Sequence, residues 1–515
     1  MNPKKWTSCI IAFVLIAGML GLPGSKTNVA SADNATFTHP GILQTATDIQ
    51  NMRSQVAAQS EPWYSTYTYL KDTVTSYGTI SANDYTLTNL KRSNSGSYNE
   101  MRLAANKVYN LALMYTVTGN NTYAEGARTI MLKYASIFKG VGTNGDSNSV
   151  YDTNLDVGVV ALKFTAAAEL LRYDYAGWSS ADTNALIAMF HKNESGTAVS
   201  MYQLLANDAV LASYDMDNIT HGHAAILRLG SMAYAIFAED ADLLEVVKSD
   251  FTANSTAYFT NQNAAAWQKK PDKSLGANGY SLLYNYNSST GQSKESDRDQ
   301  QHAMVNLSSF ITVAHMAWNQ GDNSLYEFNN RTLLKAVDFS ARYNLGYDVA
   351  AYTSAYPWNH HGNQGITTFD RGRVTESTFS LAYNYYKFSS SAATSEYAYL
   401  TEMINHPLYA IDRNSFDVPG FSALTASPAA RALDYTSNVA ALNHTVHWQY
   451  SGVTRMVNGV PALWRVCDWT RERYCTRWQQ CSNERHQCDC RFAVHVFKCS
   501  YKSKPALCQH WIGND

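Results

Sequence analysis

Apolar residues recur at helical spacing in one stripe after another from Ile49 to Phe388, with turn residues between the stripes. Between residues 100 and 118 the stripe is Leu103, Val108, Leu111, Ala112 and Tyr115. Gly119-Asn120-Asn121 turns the chain, and Ala124, Ala127, Ile130, Met131 and Tyr134 form the next stripe. Residues 155–173 are apolar nearly all round, so that helix is expected to be buried on both sides. Gly177-Trp178-Ser179 leads into a helix carrying Ala185, Leu186 and Met189. Helices over 223–238, 299–318, 333–343 and 376–388 continue the pattern, preceded by one with Ile49, Met52 and Val56 and by a tyrosine-rich one after Glu61-Pro62-Trp63. Strand alternation is scarce before about residue 430. Serial helix pairs make either an α-solenoid or a closed (α/α) toroid. No fixed short period recurs, which favours an all-α, (α/α) toroid or incomplete barrel of helical hairpins over residues 33–430.

The ends of the chain differ from this body. Lys4 and Lys5 precede an apolar run from Ile10 to Leu22, and Ala30-Ser31-Ala32 supplies small residues for cleavage. Residues 1–32 are read as a secretory signal peptide cut after Ala32, so the protein is expected outside the cell. No segment has the length to span a bilayer. Residues 431–463, with His447-Trp448-Gln449-Tyr450, partly alternate and suggest a small β segment. Of the 8 cysteines, Cys9 lies in the signal and Cys467, Cys475, Cys481, Cys488, Cys490, Cys499 and Cys508 crowd a basic tail, 464–515. That tail reads as a zinc or disulfide module or as an anomalous terminus. It contains no Cys-x-x-Cys pair, and its cysteine count is odd for an exported chain.

Net charge is −2, and loss of Lys4, Lys5 and Lys26 with no acid takes it to −5. A mildly acidic chain lacks the basic field that nonspecific nucleic-acid binding requires, so neither nucleic acid nor membrane is an expected partner. The 35 tyrosines and 11 tryptophans suit a sugar-binding cleft, where ring faces pack on the C–H face of a pyranose, although tyrosine packs cores as well.

Charge concentrates in one place. Lys294-Glu295-Ser296-Asp297-Arg298-Asp299-Gln300-Gln301-His302 holds five charged residues and a histidine, in a chain only 16% charged. If a helix begins near Ser296, Arg298 and His302 share a face and Glu295 can orient the guanidinium. Such a cluster can grip a carboxylate and move a proton; it would equally serve as a solvated helix terminus. Three polar, aromatic loops are placed to line a cleft: 215–223, 278–301 and 358–373.

Several pieces resemble the alginate-lyase superfamily of polysaccharide lyases, over roughly residues 39–424. They are His39-Pro40-Gly41-Ile42-Leu43, Ala105-Asn106 through Tyr109-Asn110-Leu111-Ala112-Leu113-Met114-Tyr115, and Thr118-Gly119-Asn120. Further pieces are Ala317-Trp318-Asn319-Gln320-Gly321, Tyr343-Asn344-Leu345-Gly346, and Arg371-Gly372-Arg373 leading to Tyr383-Asn384-Tyr385-Tyr386. The most specific is Glu295-Ser296-Asp297-Arg298-Asp299-Gln300-Gln301-His302.

The resemblance implies a toroid catalytic domain and β-elimination on alginate or a related polyuronate, with no cofactor or metal. Related toroid lyases neutralise the uronate carboxylate with an Asn/His pair and an Arg, and use Tyr or His as base and acid. Carried over, Arg298 and Asn218 would neutralise the carboxylate, His302 or His221 would transfer protons, and Tyr284 is the first catalytic tyrosine to test. Glu295, Tyr280, His361 and Arg371 would bind substrate. In some toroid lyases His directly follows the Asn, whereas His221 lies three residues after Asn218, which puts that pair's roles in doubt.

Other readings stand beside these. His221-Gly222-His223 with Asp215 and Asp217 would make a metal site, and Asn218 would cap a helix. Asn359-His360-His361 would be an ordinary loop, Glu376 an ion-pair partner of Arg371 or Arg373, and Lys269-Lys270 a solvated pair. Asp215, Asp217, Glu295 and Asp299 would supply the carboxylates of a glycoside hydrolase. A noncatalytic glycan-binding protein is the alternative outside enzymes. A monomer is expected.

Overall fold

A computed structural model of the chain describes residues 37–91, 99–142, 153–206, 222–252, 286, 289–293, 300–347, 349, 379–406 and 415–427, with the backbone of 465–467, 474–477 and 496–498. Helices dominate. They are α1 (Ala46–Ala57), α2 (Trp63–Thr75), α3 (Glu100–Thr118), α4 (Asn121–Ile137), α5 (Asn154–Asp174), α6 (Ser180–His191) and α7 (Met201–Ala206). Then follow α8 (Gly222–Ala238), α9 (Ala241–Thr252), α10 (Gln300–Asn319), α11 (Ser324–Asn344), α12 (Phe379–Phe388), α13 (Ala398–Asn405) and α14 (Ser422–Thr425).

Local chemistry sets the boundaries. The Asn99 side chain accepts the Arg102 N–H at 2.8 Å and starts α3, and Gly119 ends it at φ +67°. Thr45 with Asp48 and Ser179 with Asp182 form capping boxes on α1 and α6. Within α11, Asn329, Asn330 and Arg331 have φ of +47°, +54° and +60°, and the helix is interrupted there.

Two layers result. The inner helices pack in cyclic order α3, α5, α8, α10, α12 and α14, and α14 packs on α1 and α2, which return to α3. The ring closes, so the architecture is the toroid and not the solenoid. Outside it, α4, α9 and α11 pack back on α3, α8 and α10 as the second helices of hairpins, with α6 against α4 and α13 against α11. Arg128 of α4 grips Asp182 of α6 with two bonds of 3.1 and 2.9 Å. As its composition demands, α5 is buried on every side along most of its length.

Adjacent inner helices run parallel. At the start of α3, Arg102 donates to Asp156 at the start of α5 (3.1 Å), while at their far ends Tyr115 donates to the Asp174 carbonyl (2.7 Å). Gly158 of α5 and Gly230 of α8 let two backbones touch: a Cβ on Gly158 would lie 2.3 Å from the Ile226 carbonyl oxygen, and one on Gly230 would lie 2.5 Å from that of Gly158. The connections consequently sort by end. Residues 119–120, 175–179, 239–240 and 320–323 leave the C-terminal ends of inner helices, whereas 207–221, 253–299 and 345–378 lead into their N-terminal ends.

The His39-Pro40-Gly41 piece has a structural explanation at the short-connection end. His39 Nδ1 lies 2.7 Å from a Glu169 carboxylate oxygen, which also accepts the Gly41 N–H at 3.2 Å; Arg172 donates to the other oxygen at 2.8 Å. Gln320 accepts the Thr38 N–H (2.9 Å) and donates to the Gly41 carbonyl (3.2 Å). These bonds clamp the first described residues to α5 and to the end of α10.

Residues 415–427 close the ring from within. Lys163, fully buried in mid-α5, donates to the Ser415 carbonyl (2.9 Å) and the Pro419 carbonyl (3.2 Å), with its ammonium 5.2 Å from the Tyr109 ring centre. Arg102 pairs with Asp417 as well as Asp156, and Asn384 donates to the Ala426 carbonyl at 3.0 Å.

The few strands are short. Asn89–Leu90 and Gly140–Val141 pair in parallel. In the tail, Arg465–Cys467, Tyr474–Arg477 and Val496–Lys498 form an antiparallel sheet, Cys467 opposite Cys475 and Cys475 opposite Phe497. The expected signal peptide, 1–32, and the expected β segment, 431–463, lie outside the described residues. No described helix is long and apolar enough to cross a membrane.

Candidate functional site

Two of the connections that carry candidate residues lead into the N-terminal ends of neighbouring inner helices. Helix α8 begins at Gly222, one residue after His221 and four after Asn218; α10 begins at Gln300, two residues after Arg298. Because α8 and α10 are neighbours in the ring and run parallel, the loops carrying these candidates feed adjoining helix starts. The N-terminal ends of inner helices also bring their positive dipole ends to this face, a setting that favours an anionic ligand.

His302 is described. It sits in the first turn of α10 and is half-buried. Asn218, His221, Tyr280, Tyr284, Glu295, Arg298, His361 and Arg371 lie outside the described residues, as do Asp215, Asp217 and Asp299 of the hydrolase and metal alternatives. Among the described residues no group of three or more His, Cys, Asp or Glu could hold a metal ion.

The surroundings of His302 are built from buried polar pairs that the sequence reading passed over. One turn beyond His302 on the same face, Asn306 accepts the Tyr286 hydroxyl at 2.8 Å. The Tyr286 ring meets Phe310 edge-on at 5.3 Å and 87°. Tyr286 also forms an antiparallel bridge with Ser293, so residues 286–293 double back on themselves. At the turn, Gly291 has φ +79°, and a Cβ there would lie 2.0 Å from the Lys335 carbonyl oxygen; the hairpin rests directly on the α11 backbone. Gln300 is buried and accepts from Asn344 Nδ2 at 3.1 Å, tying the start of α10 to the end of α11. Asn306, inside an otherwise apolar helix face, was the available signal for its pair, whereas Gln300 lies in the charged run and stands out from nothing around it.

A second polar assembly borders the same end. Arg102, buried at the start of α3, joins Asp156 to Asp417, and Asn106 one turn on donates to the Phe416 carbonyl at 3.3 Å. Phe416 itself stays 38% exposed, and Leu103, expected in the buried stripe of α3, is 40% exposed. Leu103 shares a helix face with the half-buried Glu100 and Lys107, three before and four after it, and that face turns away from the core.

The chain matches the family model described as alginate lyase over residues 47–349. That span takes in every candidate residue except His361 and Arg371. Among solved structures, a crystal structure of an alginate lyase from Bacteroides ovatus is similar over 74% of this chain and 99% of that chain, at 14% identity and a TM-score of 0.47. No curated protein matches the chain.

Proposed function

The chain belongs to the alginate-lyase family and is a polysaccharide lyase, and we propose that it is an exported enzyme that cleaves alginate or a related polyuronate by β-elimination. The observation that carries this reading is the family match across 47–349, which includes the run from Glu295 to His302. The signal-like first 32 residues support export.

The chemistry assigns the roles. The C5 proton of a uronate is α to its carboxylate, and its removal puts further negative charge on that group. Arg298, with Asn218, neutralises the carboxylate so that the charge can build there. His302, or His221, acts in proton transfer, with Tyr284 as the tyrosine candidate for the complementary acid or base. The base takes the C5 proton, the released electron pair forms the C4–C5 double bond, and the C4–O4 bond breaks. The departing oxygen takes a proton from the acid. No water and no redox partner enters the balance. Glu295, Tyr280, His361 and Arg371 are assigned to substrate binding.

Product masses test the reading. Elimination leaves one product lighter by a water than the corresponding hydrolysis product and unsaturated at its non-reducing end. New reducing ends without unsaturation would replace the lyase with a hydrolase, and binding without any cleavage across polyuronates would replace it with a glycan-binding protein.

A further inference from the structure

We propose that Phe416 is a platform on which a sugar unit of the polymer packs, several units along the chain from the bond that is cut. The inference rests on the lyase reading above. A polysaccharide lyase holds a run of sugars, and the ring face of an aromatic side chain fits the apolar C–H face of a pyranose. One exposed phenyl ring is ordinary on a protein surface. What sets Phe416 apart is how firmly the backbone around it is held.

Of residues 415–424, Phe416 alone is exposed, at 38%. The Ser415 carbonyl accepts from the buried Lys163 at 2.9 Å, and the Phe416 carbonyl accepts from Asn106 at 3.3 Å. Arg102 holds the Asp417 carboxylate, and the Ser415 hydroxyl oxygen accepts the Asp417 and Val418 N–H groups at 3.4 and 3.3 Å. The backbone on both sides of Phe416 is thus fastened to α3 and α5, and the ring is presented from rigid helices, as precise binding requires. Arg102 and Asp156 stand in the first turns of α3 and α5, so these anchors lie at the end of the ring where α10 begins with His302. In the ring, α5 and α8 stand between α3 and α10. With neighbouring axes about 8–10 Å apart, Phe416 and His302 are separated by on the order of 15–20 Å, the reach of several sugar units. Arg102 is already matched by two carboxylates, so the subsite offers contact to the sugar's C–H face rather than a charge for its carboxylate.

Chain length tests the platform. Phe416→Ala is expected to raise KM on a long polyuronate about threefold to tenfold, with kcat within about twofold of the parent. On the shortest uronate oligomer that the parent cleaves, which engages the site around His302 without reaching Phe416, KM should stay within about twofold. Phe416→Trp keeps a ring face and should keep the parental KM on both substrates. Phe416→Leu keeps apolar bulk without a ring face and should match the alanine variant, which separates loss of stacking from loss of packing. An unchanged KM on the polymer, an equal rise on polymer and oligomer, a leucine variant at the parental KM or a tryptophan variant as weak as alanine would overturn the inference and leave the lyase reading standing. A parent that forms no unsaturated product would overturn both.

Discussion

Lys163 and Ser415 are 252 residues apart in the chain, yet the wholly buried ammonium of one donates to the carbonyl of the other at 2.9 Å. A lysine interrupts a helix buried on every side because the ring needs a donor where residues 415–419 pack on it. Replacing Lys163 with Met keeps the stem volume and leaves the Ser415 and Pro419 carbonyls without their donor. A loss of about 3 kcal/mol is expected, since buried groups stripped of a charged partner cost on that order. Denaturant unfolding measures it, and an unchanged midpoint would show that the packed segment contributes nothing to the ring.

Arg102 joins two carboxylates, Asp156 and Asp417, that lie far apart in the sequence. Arg102→Ala strands both in a buried site and is expected to cost about 3–5 kcal/mol, whereas Asp417→Asn removes one charge and should cost less. Proteolysis near 415–419 is expected to rise in both variants. Cleavage at the parental rate in Arg102→Ala would contradict the assigned role.

Gly158→Ala tests the helix approach by sign. In an open helix position the change gains about 1 kcal/mol of propensity. Here the new Cβ would meet the Ile226 carbonyl oxygen at 2.3 Å, and backbone cannot rotate away. A net loss of about 1–3 kcal/mol is expected. Gly126→Ala on α4, whose nearest neighbour is the Ile80 side chain at 3.3 Å, should stay within about 1 kcal/mol of the parent.

Asp338 gives a pH signature. Burial pushes its carboxyl up from 3.8 to about 6, only partly offset by the Leu400 and Tyr399 N–H groups and by Arg342. The folded state therefore holds this proton to higher pH than the unfolded state. The stability it lends is full below about pH 4 and is lost as pH rises through 6, by about 3 kcal/mol. Other carboxylates act with the opposite sign. Burial raises Asp182, Asp322 and Glu100 too, but hydrogen bonds outweigh it, and the Arg331 bond leads in lowering Glu396. Their stabilisation is lost as pH falls through the acid range. Asp338→Asn removes this dependence, so parent-minus-variant stability should fall as pH rises from 4 to 7, and the variant should be the more stable at neutral pH. An unchanged pH profile would contradict the burial assigned to Asp338.

The helices were legible wherever one face, or every face, was apolar. The all-round pattern of α5 and the Gly119-Asn120 turn after α3 fixed their elements closely, and the absence of a short period pointed to a closed ring. Helix α9 and the first half of α11 were missed. Their charged rows dilute the stripe, and the positive-φ residues Asn329 to Arg331 break the period of α11. Leu103 misled because periodicity assigns a face without showing what covers it. Within the site, the charge cluster marked the start of α10 and His302. Asn306, an asparagine on an apolar helix face, signalled a buried polar partner, but Tyr286 reads as core in its own segment, so the pair itself was not legible. Lys163 and Arg102 were missed likewise, because their partners lie hundreds of residues away.

The most direct measurement is ultraviolet absorbance of a C4–C5 unsaturated uronate while the protein acts on mannuronate-, guluronate- and glucuronate-containing polymers, with Arg298→Ala and His302→Ala alongside. The account predicts a steady rise with at least one polymer, reduced by at least about a hundredfold in each variant while both stay folded. A rise that survives both substitutions would contradict the assignment of the site. No rise with any polyuronate would contradict the elimination itself.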